Sequence, residues 1–261
     1  MKKIRTIIRK EWAEVFKNRM VLFTVAFLPL IMTALPLGIL VAMGSDLQGV
    51  AGDIPEQFNA FCPGNLSGGD CFQVYMVSQF MIMFMILPLV IPATISSYSI
   101  VGEKTTRSLE PLLATPITTA ELLIGKGLAA ALPAILATYA AFTIFAISSW
   151  FIVSNTTLFA ALLDARWLIA VFLVGPLMAL MAVSVSVMVS SRVNDPRVAE
   201  QISMIVIVPV LALFFGQLAG LFIINRQLIL ATAGILVILD AFLVYLAVQL
   251  FQRETILTRW K

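Results

Sequence analysis

The chain has 261 residues, of which 61% are hydrophobic and 12% are charged, and its formal net charge is +3. Soluble domains are roughly 45–50% apolar and about 25% charged, so this composition excludes a soluble enzyme and a nucleic-acid-binding protein. The chain contains no histidine, which removes histidine-based metal sites and Ser–His catalytic pairs. The composition indicates an integral membrane protein, for which we expect no metal and no cofactor.

The first 19 residues predict an amphipathic helix that lies at the membrane surface. Apolar residues recur there at helical spacing, and Lys and Arg residues fill the other face. The apolar positions are Ile4, Ile7, Ile8, Trp12, Val15 and Phe16. The alternative is a basic orientation signal with no fixed structure.

Six uncharged or nearly uncharged runs follow, and each is long enough to cross a hydrocarbon core of about 30 Å as a helix. They span residues 20–43, 74–101, 127–153, 167–191, 201–225 and 227–252. The alternating pattern of a membrane β-barrel is missing. We therefore predict an all-α membrane protein with six transmembrane helices in a single domain.

The basic residues predict the orientation of these helices. All but two of the 17 Lys and Arg residues, Arg166 and Arg226, lie in the terminal segments or in the loops after spans two and four. The positive-inside rule then places both termini in the cytoplasm. We expect the protein to lie in the plasma membrane.

The loop at 44–73 is expected outside the cell and holds the two cysteines, Cys62 and Cys71. An oxidising compartment favours a disulfide between them. The alternative is a pair of free thiols.

The segment at 103–119 is the most informative part of the sequence. Leu109, Leu112 and Leu113 have the i, i+3, i+4 spacing of an apolar helix face, and Pro116 ends that short helix. Thr118 and Glu121 form a capping box that begins the next helix. If that helix continues to residue 153, it is roughly 54 Å long and projects beyond the bilayer.

This segment resembles the cytoplasmic loop of ABC type-2 exporter permeases. The resemblance rests on Glu103, Leu109-Glu110, the stretch 112–116 (Leu-Leu-Ala-Thr-Pro) and Gly125-Lys126. It implies a permease subunit that forms the translocation path of an ATP-driven exporter and pairs with a second permease, identical or related. It also implies two cytoplasmic ATPase subunits, which dock on a coupling helix in this loop. The residues expected to make that contact are Glu103, Arg107 and Glu110 through charge, and Leu109, Leu112 and Leu113 through a buried apolar face.

Asp240 lies near the middle of the last span. A charged carboxylate at the bilayer centre costs about 3 kcal/mol on insertion scales. We expect a neutral carboxyl that is hydrogen-bonded between helices, with Ser184, Ser186 or Tyr139 as the partner. The alternative is a role in binding a cationic substrate.

An enzymatic function is not expected of this chain. Gly125-Lys126 does not fit a P-loop, because Ala120 and Gly127 stand where that motif needs Gly and Ser or Thr. Two other functions stay open: an ion- or proton-coupled secondary transporter that uses Asp240, and a membrane scaffold that transports nothing.

Overall fold

The structure is a computed structural model that describes residues 2–43, 68–106, 117–153 and 155–250. Its helices, in chain order, are α1 (Lys2–Val15), α2 (Arg19–Met43), α3 (Gly68–Phe84), α4 (Leu87–Thr105), α5 (Thr119–Ile152), α6 (Thr156–Leu162), α7 (Ala165–Ile169), α8 (Gly175–Arg192), α9 (Pro196–Ser203), α10 (Val208–Leu218) and α11 (Arg226–Leu250). A π-helical turn (Ala170–Val174) joins α7 to α8, and a 3-10 turn (Met204–Ile207) joins α9 to α10.

Six stretches of the described chain are long and apolar enough to cross a membrane. They are Arg19–Ala42, Gly69–Thr105, Ala120–Ile152, Thr156–Arg192, Pro196–Leu218 and Arg226–Leu250. No strand occurs among the described residues. The prediction of an all-α membrane protein with six transmembrane helices is therefore confirmed.

The helices differ in extent from the apolar runs at several ends. The fifth run continues to residue 225, but α10 ends at Leu218. The chain turns there because Gly220 adopts a φ of 71°, which lies in the left-handed region that only glycine adopts at little cost. The outer part of the fourth stretch contains two extra short helices, α6 and α7, each begun by a side-chain cap from Asn155 or Asp164.

Three breaks within the spans each come shortly before a proline. Pro88 follows the break between α3 and α4, Pro176 follows the π-helical turn, and Pro209 follows the 3-10 turn. A proline has no N–H for the carbonyl four residues earlier, and its ring clashes with that carbonyl, so the helical ladder is interrupted there.

Helix α4 is the centre of the bundle. It packs against α8, α5, α9, α2 and α1. In the second stretch, Gly69–Thr105, 67% of the apolar window is buried, against 22% in the first, fifth and sixth stretches. The outer helices therefore expose large apolar side chains, as expected of surfaces that face lipid.

Helix α5 has 34 residues, so it is roughly 51 Å long and extends beyond a hydrocarbon core of about 30 Å. Its first turn, the last turn of α4 and helix α1 lie together at one end of the bundle, which we call the α1 end.

Candidate functional site at the stems of the 107–116 segment

Helices α4 and α5 form the two stems of the segment that the sequence singles out for coupling. Arg107, Leu109, Glu110, Leu112 and Leu113 lie outside the described residues, so their role stays a prediction. The capping box at the α5 stem is confirmed: the Thr118 hydroxyl accepts a hydrogen bond from the Glu121 N–H at 3.2 Å, and the Glu121 carboxylate accepts one from the Thr118 N–H at 3.0 Å.

A buried ion-pair network joins these stems to α1. Lys126 of α5 lies 2.8 Å from the Glu11 carboxylate of α1 and 2.7 Å from the Glu103 carboxylate of α4. The side chains of all three residues are 3–5% exposed. Since buried charges are tolerated only when they are paired and hydrogen-bonded, each helix of this trio depends on the other two for charge compensation.

Two further side chains complete the network. Lys10 of α1 lies 2.6 Å from the second oxygen of Glu103. The Ser99 hydroxyl of α4 donates to the second oxygen of Glu11 and accepts a hydrogen bond of 2.9 Å from Lys126. We call these five residues, Lys10, Glu11, Ser99, Glu103 and Lys126, the charge cluster. Each of the four carboxylate oxygens thus faces a Lys or Ser side chain, and two positive charges balance two negative ones.

Lys10 lies at the rim of the charge cluster. Partial burial alone would lower the pKa of its ammonium group, but the hydrogen bond to Glu103 and the negative charges of Glu103, Glu14 and Glu11 outweigh that effect. The pKa of Lys10 is therefore raised above its ordinary value. Lys10 consequently stays charged throughout the physiological pH range.

Helix α1 is also fixed to α5 by shape. The Ile7 side chain packs where Gly125 has none, since a Cβ added to Gly125 would lie 2.8 Å from an Ile7 methyl carbon. One turn further along α5, the Ala129 carbonyl accepts a hydrogen bond of 2.9 Å from the Trp12 indole N–H. Part of the apolar face of α1 is therefore covered by protein, whereas the sequence predicts that this face lies on lipid.

The sequence analysis missed four members of the charge cluster, and two of them carried a signal. Glu11 stands on the apolar face of α1, one turn from Ile7 on one side and from Val15 on the other. A carboxylate at such a position must find a partner when the face is buried. Lys126 stands at the start of an apolar run, and Gly125-Lys126 entered the analysis only through the resemblance and the P-loop motif that it does not fit.

Glu103 is the one predicted contact residue for an ATPase that the structure describes. Its side chain is 5% exposed, and its two oxygens face Lys10 and Lys126 of the same chain. Glu103 is therefore already paired within the chain, and its contact with an ATPase stays a prediction.

Polar contacts connect the α4 stem to the rest of the bundle. Ser97 shares a hydrogen bond of 2.9 Å with Ser186 of α8, and Thr94 donates one of 2.6 Å to Glu200 of α9. The Lys104 ammonium reaches the carbonyls of Ser191 and Val193, each at 3.3 Å. A displacement of this stem would therefore be passed to α8 and α9.

Asp240 lies apart from the charge cluster. It is 3% exposed and stands on the inward face of α11 together with Leu236 and Ala247. Neither carboxyl oxygen has a hydrogen-bond partner among the described residues. The three hydroxyls predicted as its partners are bonded elsewhere. Ser184 donates to Leu180, Ser186 to Ala93 and Tyr139 to Phe172. The prediction of a hydrogen-bonded Asp240 is therefore wrong for these partners.

The predicted disulfide involves one residue that the structure describes and one that it does not. Cys71 lies buried in the first turn of α3, whereas Cys62 and most of the 44–73 loop lie outside the described residues. The disulfide stays a prediction.

Comparison with known proteins relates the sequence of this chain to a family. The family model described as "ABC-2 family transporter protein" matches residues 5–245. This range includes all of the charge cluster, both stems and Asp240. A search of curated proteins finds no match.

Proposed function

Because the chain belongs to the ABC-2 family of transporter proteins, we propose that it is the permease subunit of an ATP-driven exporter. A separate ATPase subunit binds ATP and closes, and the segment at 107–116 receives that movement. The chain itself hydrolyses nothing. It supplies the path across the membrane and transmits the movement of the ATPase to that path.

The charge cluster is the observation that carries this proposal. A segment that receives a push is useful only if its stems move together, since independent stems would absorb the movement. Lys126 bridges the two stems through Glu103 and connects both to α1 through Glu11. From the α4 stem, the contacts Ser97–Ser186 and Thr94–Glu200 lead into α8 and α9. The cluster therefore converts a push on one short segment into a rigid-body displacement of several helices.

The proposal places the α1 end in the cytoplasm, where ATP is available. The basic residues of the N-terminal segment and of the loops after spans two and four support this orientation. Single cysteines placed at Lys3 and Thr258 should resist an impermeant thiol reagent in intact cells, while one at Asp53 should react. Reaction at Lys3 in intact cells would contradict the orientation.

The proposed assembly contains two permeases and two ATPase subunits in the plasma membrane. The large apolar side chains exposed on α2, α5, α10 and α11 leave ample surface for both lipid and a second permease. Purification of the complex from the native membrane would show whether the second permease is identical to this chain.

The direct test is a substitution in the coupling segment. Leu112→Asp places a charge on the apolar face expected to contact the ATPase, and truncation of such an anchor commonly costs a few kcal/mol of binding energy. We expect the full-length variant to fold but to lose co-purification with the ATPase and transport-coupled hydrolysis. Leu112→Met keeps the face apolar and serves as the matched control. Unchanged co-purification and hydrolysis in Leu112→Asp would contradict the proposal.

Transport assays after ATP depletion separate the exporter from the two rival functions. A secondary transporter that uses Asp240 would transport after ATP depletion as long as an ion gradient persists. A scaffold would bind partners without transport under either condition. Transport that stops with ATP depletion at constant ion gradient supports the exporter.

A further inference from the structure

A cavity of about 260 Å³ lies between α5, α8 and α11 in the half of the bundle nearer the α1 end. Its walls include Gly127 and Leu128 of α5, Val183 and Val187 of α8, and Ala247 of α11. Among the described residues that line it, Ser184 alone has a polar side chain, and its hydroxyl already donates to the Leu180 carbonyl. The cavity therefore suits an apolar body.

The cavity opens sideways toward the surface that faces lipid. Ile124, Leu128 and Val244 line it and are also exposed on the outside of the bundle. A molecule dissolved in the bilayer can therefore reach the cavity without passing through water.

Asp240 does not line this cavity, but it lies close to it along α11. It shares the inward face of α11 with Ala247, seven residues further along, which corresponds to about 10 Å along the helix axis. Val244 of the cavity wall lies one turn from Asp240. The carboxyl is 3% exposed and has no hydrogen-bond partner among the described residues.

The surrounding sequence offers no basic residue to pair with this carboxyl. The stretches of the three cavity helices at comparable depth, residues 127–152 of α5, 175–191 of α8 and 227–250 of α11, contain neither Lys nor Arg. If this carboxyl is ionised, its compensating positive charge has to come from a bound molecule.

We propose that the cavity and Asp240 form one binding site for a lipophilic monovalent cation that arrives from the membrane. The apolar body fills the cavity, and the cationic centre lies at the Asp240 end. As the substrate class of the exporter, this assignment rests on the function proposed above. A lipid acyl chain would fill the cavity without engaging the carboxyl, and a small hydrated cation would leave the apolar walls unfilled.

Binding of radiolabelled tetraphenylphosphonium to the full chain in phospholipid nanodiscs tests whether the charge of Asp240 contributes to the site. Asp240→Asn keeps the shape of the side chain and removes its charge, and we expect it to weaken binding by about tenfold or more. Asp195→Asn makes the same chemical change at an exposed helix cap and should leave binding unchanged. Equal affinity of the wild type and Asp240→Asn, or no saturable binding to the wild type, would overturn the proposal.

A second pair of variants tests the cavity. Gly127→Leu projects a side chain into it, and the first added carbon would stand 3.5 Å from Val183, which is ordinary contact. Gly234→Leu adds the same atoms on α11 where nothing lies within 4 Å. We expect Gly127→Leu to weaken tetraphenylphosphonium binding by about tenfold and Gly234→Leu to leave it unchanged. Equal binding by both variants would contradict a site in this cavity.

A measurement on the wild type alone removes any dependence on the folding of variants. Methyltriphenylphosphonium should displace labelled tetraphenylphosphonium, whereas triphenylphosphine oxide, which has a similar body and no net charge, should compete far less. Equal competition by the two compounds would show that the site does not discriminate by charge, and it would overturn the proposal.

These assays contain no ATPase and no ATP, so they are independent of the proposed function. Absent cation binding combined with intact ATPase coupling would refute this site alone. Cation binding that depends on Asp240, in a chain that never co-purifies with an ATPase, would support the site and contradict the exporter.

Discussion

The described part of the bundle buries carboxylates in two places, and their surroundings are opposite in kind. In the charge cluster, Glu11 and Glu103 face Lys10, Lys126 and Ser99, and each carboxylate oxygen has a partner. Asp240 is buried to the same degree, yet neither of its oxygens has a partner among the described residues. Within the described part of the chain, one site is complete and the other is not.

The difference separates a structural role from a binding role. A satisfied network fixes the relative position of the helices that contribute to it, and it offers little to an outside molecule. An unsatisfied buried group lowers stability, and natural chains retain such groups mainly at functional sites. The charge cluster therefore connects the loop stems, and we propose that Asp240 belongs to the substrate path.

The largest expected effect comes from removing the cation at the centre of the cluster. Lys126→Met leaves Glu11 with Ser99 and Glu103 with Lys10 as their remaining partners, and breaking a buried pair in this way destabilises by about 3–5 kcal/mol. Unfolding of the purified chain in mixed micelles should show this loss, together with release of α1 from α5. A loss below about 1 kcal/mol would show that the cluster is solvated.

The next effect tests whether shape, as well as charge, holds α1 on the stems. Gly125→Val places a side chain where Ile7 packs, at 2.8 Å from its nearest carbon. Overpacking of this kind typically costs about 1–3 kcal/mol, and Trp12 fluorescence should report the displaced helix. Gly102→Val is the matched control, because an added Cβ there meets nothing within 4 Å. Equal stability of the two variants would show that close packing of Ile7 on Gly125 does not hold α1 in place.

The two regions also differ in how far the sequence predicts them. The capping box at Thr118 and Glu121 and the six apolar spans depend on neighbours within a few turns, so the sequence predicts them directly. The charge cluster depends on pairs far apart in the chain, such as Lys126 with Glu11 at a separation of 115 residues. Only tertiary packing decides that pairing, and the sequence shows no more than a carboxylate on an apolar helix face.

One wrong partner for Asp240, Ser184, has a local cause, whereas Ser186 and Tyr139 donate to carbonyls of other elements. Serine and threonine hydroxyls within a helix readily bond to the carbonyl four residues earlier. Ser184 does this with Leu180, and Thr138 and Thr143 do the same with Ala134 and Tyr139. Hydroxyls satisfied by their own helix are not available to a carboxyl on the next one, so matching polar residues by depth overestimates the pairs between helices.

At Asp240 we expect a stability change of the opposite sign. Asp240→Leu removes a buried polar group that has no partner among the described residues, so it should raise stability by about 0.5–2 kcal/mol. Glu11→Leu, the same kind of change inside the charge cluster, should lower stability, because Lys126 then loses one of its two carboxylates. Denaturation of both variants under identical micelle conditions compares the two. If both variants lose stability, Asp240 is part of a structural network and the contrast between the two regions fails.

The smallest effect is expected at the rim of the α1 end, where Lys3 and Glu121 form an ion pair of 3.4 Å with side chains that are 50% and 32% exposed. Water screens both charges, and exposed pairs of this kind contribute about 0.2–1 kcal/mol. Glu121 also keeps its hydrogen bond to the Thr118 N–H when Lys3 is removed, so the helix cap survives. Lys3→Met should therefore change the unfolding free energy by well under 1 kcal/mol, and the change should shrink as salt is raised. Lys126→Met, the same substitution in the buried cluster, should remain strongly destabilising at every salt concentration, because buried pairs are screened far less. An equal salt response in the two variants would mean that water reaches Lys126, and the cluster would then be too loosely held to move both stems together.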